Sequence, residues 1–255
     1  MTVRGAMRQA EQGGYVMLVA EVGDERTSTA AYVRLVSERR IDGLIIAVTA
    51  ESREMIAAIE GNPVPHVFVN RRSRIGRSVT VDDEAAGRLA AQTLIEAGHR
   101  RLAFMGAHPE LDTSRRRRAG FVEACEVAGL PPPLDVAGPV SRRGGYEASL
   151  DLLDRAPRPT GVFAFNMLMG IGTLAAARAR GVRVPQDLSV ITLDGEDASF
   201  TAPPLTAIAT PLSEMGARAV QELDAMIHGR EPQDVVIDIA PTLIVRESVG
   251  PPPEG

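Results

Sequence analysis

The sequence predicts an α/β chain folded as two doubly wound α/β lobes, and three observations lead there. Short runs rich in valine, isoleucine and leucine recur along the 255 residues, apolar on both faces as buried parallel strands are. Segments of helical period separate them, so strand and helix alternate. The number of such units exceeds what one open sheet needs, and the chain changes character at VTVDDEAAG (79–87), where a strand runs through two aspartates into a new helix. That point reads as a crossover between lobes.

The first strand candidate is YVMLVA (15–20), followed by a helical stripe at Tyr32, Leu35 and Val36. GLIIAV (43–48) and HVFVN (66–70) come next, then the strand entering VTVDD, with Asp82 or Asp83 as the cap of the helix that carries Leu89, Thr93 and Leu94. RLAFMG (101–106) precedes a helix over 114–128 whose buried stripe is Phe121, Cys125 and Ala128. Further stripes at Tyr146, Leu150 and Leu153, and at Leu168, Ile171 and Ala175, flank the strand GVFAFN (161–166). LSVITLD (188–194) follows. The helix PLSEMGARAVQELDAMIHG (211–229) ends at Gly229, and VVIDIA and LIVRE are the last strands before a tail, GPPPEG, that reads as disordered.

Composition removes several function classes. A net charge of -5 argues against a body built to coat DNA or anionic lipid. Every basic residue is arginine, which excludes Schiff-base and P-loop lysines. Cys125 is the single cysteine, so no internal disulfide and no cysteine-based zinc site can form. The four histidines, 66, 99, 108 and 228, have no metal spacing, and His99 and His228 suit final helical turns as imidazolium. The glycines of MGIG (169–172) fall inside a helix and make no dinucleotide fingerprint, and no nucleophile elbow is present. No cofactor, metal or enzyme chemistry is therefore expected. No membrane span or signal peptide is visible, which places the chain in the cytoplasm.

The candidate site begins with TSRRRRAGF (113–121). Four consecutive helical residues span about 300°, so the run cannot form one basic face for a nucleic-acid groove. Stepping back four from Phe121 puts Arg117 on the buried stripe, either facing an interior polar cleft or partly solvated, while the other three arginines fan away. Arginines at a helix N-terminus oppose its dipole and need compensation. Asp194 and Asn166 end apolar strands, where ligands sit in open α/β sheets, although capping a strand-to-helix turn accounts for either residue equally. His108, in the loop before the arginines, either reaches a ligand or does not.

The stretches AGHRRLAFMG, SRRRRAGF, GVFAFN, VPQDLSVITLD, PPLTAIATPLSEMGARAV and LIVRES, in this order, resemble the effector-binding domain of the LacI/GalR family of bacterial repressors. RRIDGLIIAV and PVPHVFVNR fit as well. The resemblance implies a periplasmic-binding-protein-like fold of type I with three crossovers. One lobe would comprise 1–82 and 211–232 and lack its first strand, the other 83–210 and 233–248, with 249–255 as the tail. It implies a homodimer and a small-molecule effector, a sugar or nucleobase, closed in the cleft by Arg117, Asp194, Asn166 and Asn70. Met167 stands where the family has aspartate after the asparagine. The helix-turn-helix headpiece of the family has no counterpart in these residues, so DNA would be bound only through a segment outside them. The alternative function is a free-standing sugar-binding protein of a transport system, which shares the fold.

Overall fold

The computed structural model describes residues 1–19, 41–47, 53–61, 64–193 and 196–253. The chain divides into two units, Met1–Val81 with Pro211–Asp238 and Asp82–Thr210 with Ile239–Gly255, so it passes from one to the other three times. No helix among the described residues is long and apolar enough to cross a membrane.

The first unit contains helix α1 (Thr2–Gln12), strand β1 (Leu44–Ile46), α2 (Arg53–Gly61), β2 (His66–Val69) and β3 (Arg77–Thr80). Among the described residues its sheet has the order β1-β2-β3-β9, all parallel, where β9 is Val235–Val236. Residues 233–238, assigned by sequence to the other lobe, belong here because Val235 and Val236 pair with Val79 and Thr80. Residues 15–19 form no strand: Val16, Leu18 and Val19 are exposed, and the only described neighbour of β1 is β2. An apolar run becomes a strand only when a partner pairs its backbone. The expected helix around Tyr32, Leu35 and Val36 lies outside the described residues.

The second unit contains α3 (Asp83–Glu96), β4 (Leu102–Gly106), α4 (Asp112–Val127), β5 (Leu134–Ala137), α5 (Arg142–Leu153), β6 (Gly161–Ala164), α6 (Met167–Ala179), β7 (Ser189–Leu193) and β8 (Thr206–Ala209). The chain then returns to the first unit through α7 (Leu212–Ile227) and β9, and comes back as β10 (Thr242–Ile244). The second sheet has the order β10-β8-β7-β6-β4-β5, parallel except where β10 meets β8. Its central strands β4, β6 and β7 are buried along their whole length, as their two-sided apolar runs require. Asp82 caps α3 by accepting from the backbone N–H of Ala85.

Two expected stripes shift. In α6 the buried face is Met169, Gly170, Gly172, Thr173, Ala176 and Ala177, whereas Leu168 and Ala175 are exposed. A Cβ at Gly172 would lie 2.3 Å from the Arg142 carbonyl, so the small face is the one that can approach α5. In α4 the residue Ala128 is the exposed cap and not part of the stripe.

The tail is ordered as far as it is described. Ser248 Oγ accepts from the Thr206 N–H and donates to the Val190 carbonyl, and the Gly250 N–H donates to Ser189 Oγ. Three prolines in a row suggested disorder, but the residues just before them supply the partners that the ends of β7 and β8 need.

Candidate functional site

The carboxyl rim of the second sheet is built around α4. Asp112, Thr113 and Ser114 are buried in its first turn, and after them Arg116, Arg117, Gly120, Phe121, Ala124 and Cys125 repeat at spacings of three and four. Phe121 anchors this face. Its ring lies 5.7 Å from that of Phe163 on β6, and the Phe104 ring on β4 lies 5.7 Å from the same partner. Beside it, burial pushes the Cys125 thiol up to about 11, which leaves it an inert packing group.

One turn earlier the same face carries two guanidinium groups. Arg117 is 4% exposed and Arg116 is 6% exposed, so the expectation that only Arg117 turns inward is corrected. The reason is Gly120, four residues after Arg116. A Cβ there would lie 1.9 Å from the Glu84 carbonyl, and one at Gly87 would lie 1.9 Å from the Arg117 carbonyl. Backbone contact between α3 and α4 widens the buried face to include position 116.

That approach brings Asp83, the first residue of α3 and fully buried, between the two arginines. Arg117 Nε donates to Asp83 Oδ1 at 2.7 Å, and Arg116 Nη1 stands 2.6 Å from Asp83 Oδ2. Arg116 Nε donates to Asp112 Oδ2 at 2.9 Å. These carboxylates are the compensation that arginines at a helix N-terminus demand. Sequence reasoning took Asp83 only as a possible cap. Two adjacent acids at a helix start, one free to cap and one pointing inward, were the available signal.

Arg117 also reaches β6. Its Nη1 donates to the Phe165 carbonyl at 3.0 Å, and its Cζ sits 4.4 Å from the centre of the Phe165 ring. Among the described residues Nη2 makes no hydrogen bond, so both of its N–H groups remain unused. Asn166, next to Phe165, caps α6 by accepting from the Met169 N–H at 3.0 Å, so Arg117 and Asn166 stand on one rim. Asp194 lies outside the described residues. His108 is exposed, and its Nδ1 accepts from the Glu110 N–H at 3.4 Å within its own turn.

Asn70, in the first unit, follows β2 with φ of 60°, the only described non-glycine residue in the left-handed region. Its N–H donates to the Val79 carbonyl, while its Oδ1 is buried without a hydrogen-bond partner.

Among the described residues, no cluster of histidine, cysteine, aspartate and glutamate could hold a metal ion. His99, expected as an imidazolium, is fully buried, and burial lowers its pKa. Its Nδ1 lies 2.9 Å from Thr160 Oγ1, and its Nε2 lies 2.9 Å from both Ser189 Oγ and the Gly250 carbonyl. It is a neutral structural group.

Comparison with known proteins agrees with this architecture. Residues 91–249 match the model of the periplasmic binding protein-like domain. The HTH-type transcriptional repressor PurR of Erwinia tasmaniensis is 32% identical over 247 residues, 94% of this chain and 72% of that protein. A LacI family transcriptional regulator from Mycobacterium smegmatis superposes with a TM-score of 0.91 at 31% identity, covering 98% of this chain and 94% of the other. The transcriptional regulator CelR in complex with cellobiose gives 0.90 at 29% identity, covering 97% and 77%. With a buried arginine at the carboxyl rim of a parallel sheet, three passages between two α/β units and these matches, the chain belongs to the LacI family of transcriptional regulators.

Proposed function

We propose that this chain is the ligand-sensing domain of a cytoplasmic, homodimeric repressor whose effector is a small hydroxylated molecule, a carbohydrate, and that it has no enzymatic activity. Arg117 carries this reading. A guanidinium locked by a carboxylate, a carbonyl and a ring, with Nη2 left over, is a fixed donor aimed by its surroundings, as a preorganised ligand contact should be. Asn166, Asp194, Asn70 and His108 are the further proposed contacts, and the aspartate and asparagines can accept from hydroxyl groups. CelR, a structural neighbour, is a cellobiose complex, which favours a sugar.

Binding would act by population shift: the effector prefers one arrangement of the domain and thereby biases a helix-turn-helix segment supplied outside these residues. A thermal-shift screen against neutral mono- and disaccharides, cellobiose included, and nucleobases tests this. A sugar at a hundred times its Kd should stabilise the chain by about 2.7 kcal/mol. Arg117→Ala should weaken that sugar by about 2–4 kcal/mol, through loss of a charge-assisted contact. A nucleobase as the sole hit would replace the sugar, and undiminished binding in Arg117→Ala would remove Arg117 from the site.

A further inference from the structure

We propose that Thr210 is a further contact for the effector, meeting one hydroxyl group of the carbohydrate with its own. The proposal rests on the carbohydrate reading and adds to it a residue at the end of β8. Thr210 is 8% exposed, and its Oγ1 is buried without a hydrogen-bond partner. By contrast Thr206, at the start of the same strand, accepts from the Arg246 N–H at 3.0 Å, Ser114 Oγ accepts from the Ala107 N–H at 3.1 Å, and Thr173 Oγ1 donates to the Met169 carbonyl at 3.0 Å. A valine of the same shape would fill position 210 without burying an unpaired hydroxyl. The polar atom gains its partner when a ligand docks, and a threonine hydroxyl can both donate to and accept from a sugar hydroxyl.

The place of Thr210 in the sheet supports this role. Side chains alternate along a strand, and carrying the alternation one residue past β8 puts Thr210 on the face of Ile208, which packs with Phe121 and Phe163 beneath α3 and α4. Arg117 descends onto the same face from α4, one turn before Phe121, and reaches the end of β6. Both groups therefore stand at the carboxyl rim on one side of the sheet, where parallel α/β sheets receive ligands. Only β7 separates β8 from β6, so their ends lie about 10 Å apart at the usual spacing of paired strands. One sugar ring with a hydrogen bond of about 2.8 Å on either side spans such a gap.

The test compares Thr210→Val, which keeps the shape and removes the hydroxyl, with Thr210→Ser, which keeps the hydroxyl. Thermal unfolding without ligand comes first. Thr210→Val should melt no lower than wild type, whereas Thr173→Val, which removes a paired hydroxyl, should melt lower. A comparable fall in the two valine variants would mean that the Thr210 hydroxyl is bonded within the fold, and would overturn the proposal. Calorimetric titrations with D-glucose, D-galactose, D-ribose, cellobiose, adenine and guanine follow. For the sugar that binds wild type most tightly, Thr210→Val should lose about ten-fold in affinity and Thr210→Ser less than about three-fold. An equal loss in both variants, or none in Thr210→Val, removes Thr210 from the site and leaves the carbohydrate reading standing. If only a base binds, the carbohydrate reading falls, and Thr210 stands or falls on whether Thr210→Val weakens that base. If nothing binds wild type, both fall.

Discussion

The two rims of the second sheet bury polar groups by opposite means. At the carboxyl rim Asp83 meets both Arg116 and Arg117, and Asp112 meets Arg116, in buried ion pairs. At the amino rim His99, Thr160, Ser189 and Gly250 form a network of neutral donors and acceptors. Neutral hydrogen bonds suffice to satisfy buried backbone and hydroxyl groups, and replacing them with ions would bring desolvation cost for no structural return. The charged rim bears that cost, and it is the rim where parallel α/β sheets receive ligands.

The contrast can be broken most severely at Asp83. Asp83→Ala removes the carboxylate that Arg116 and Arg117 share among the described residues, and chemical denaturation should show a loss of about 3–5 kcal/mol. A change below about 1 kcal/mol would mean that water enters the cluster and that it is not a buried ion network. Next comes the spacing that creates the cluster. Gly120→Ala drives a methyl against the Glu84 carbonyl and should cost about 1–3 kcal/mol, measured by the same transition.

The amino rim gives a smaller, pH-dependent effect. Burial holds the His99 pKa below its unfolded value, so as pH falls through about 6.5 the unfolded chain takes up a proton that the folded one resists. Stability should be full above that pH and decline below it, at no more than about 1.4 kcal/mol per unit, until the folded pKa is reached. His99→Gln should flatten this slope, and melting curves between pH 7.5 and 5.5 compare the two. The weakest break is Arg118→Ala. Its pair with Asp135 is geometrically close but about half exposed, so solvent screening should keep the loss under about 1 kcal/mol. A larger loss would erase the distinction between buried and surface arginines within the run.

Much of this was legible in the residues. Two-sided apolar runs identified the central strands, because burial on both faces leaves no other pattern, and the step from Phe121 back to Arg117 correctly put Arg117 on the buried face. Edge strands were harder: Leu134–Ala137 has Asp135 and Ala137 exposed, so its apolar signal is half diluted. The Asp83–Arg116 contact was invisible because it depends on how closely two helices approach. That distance is set by Gly87 and Gly120, which lie 33 positions apart and look unremarkable one at a time. The neutrality of His99 was missed for a related reason: its partners come from three distant segments, the last of them residue 250.

The docking of Ser248 and Gly250 onto β7 and His99 has a practical consequence for anyone handling this protein. A deletion that stops at Glu247 would remove the acceptor for the Thr206 N–H and the donor to the Val190 carbonyl, stripping the sheet of partners near two strand ends. Affinity tags and fluorescent fusions belong after residue 253, since a boundary trimmed before Ser248 for its proline-rich appearance would remove these hydrogen bonds.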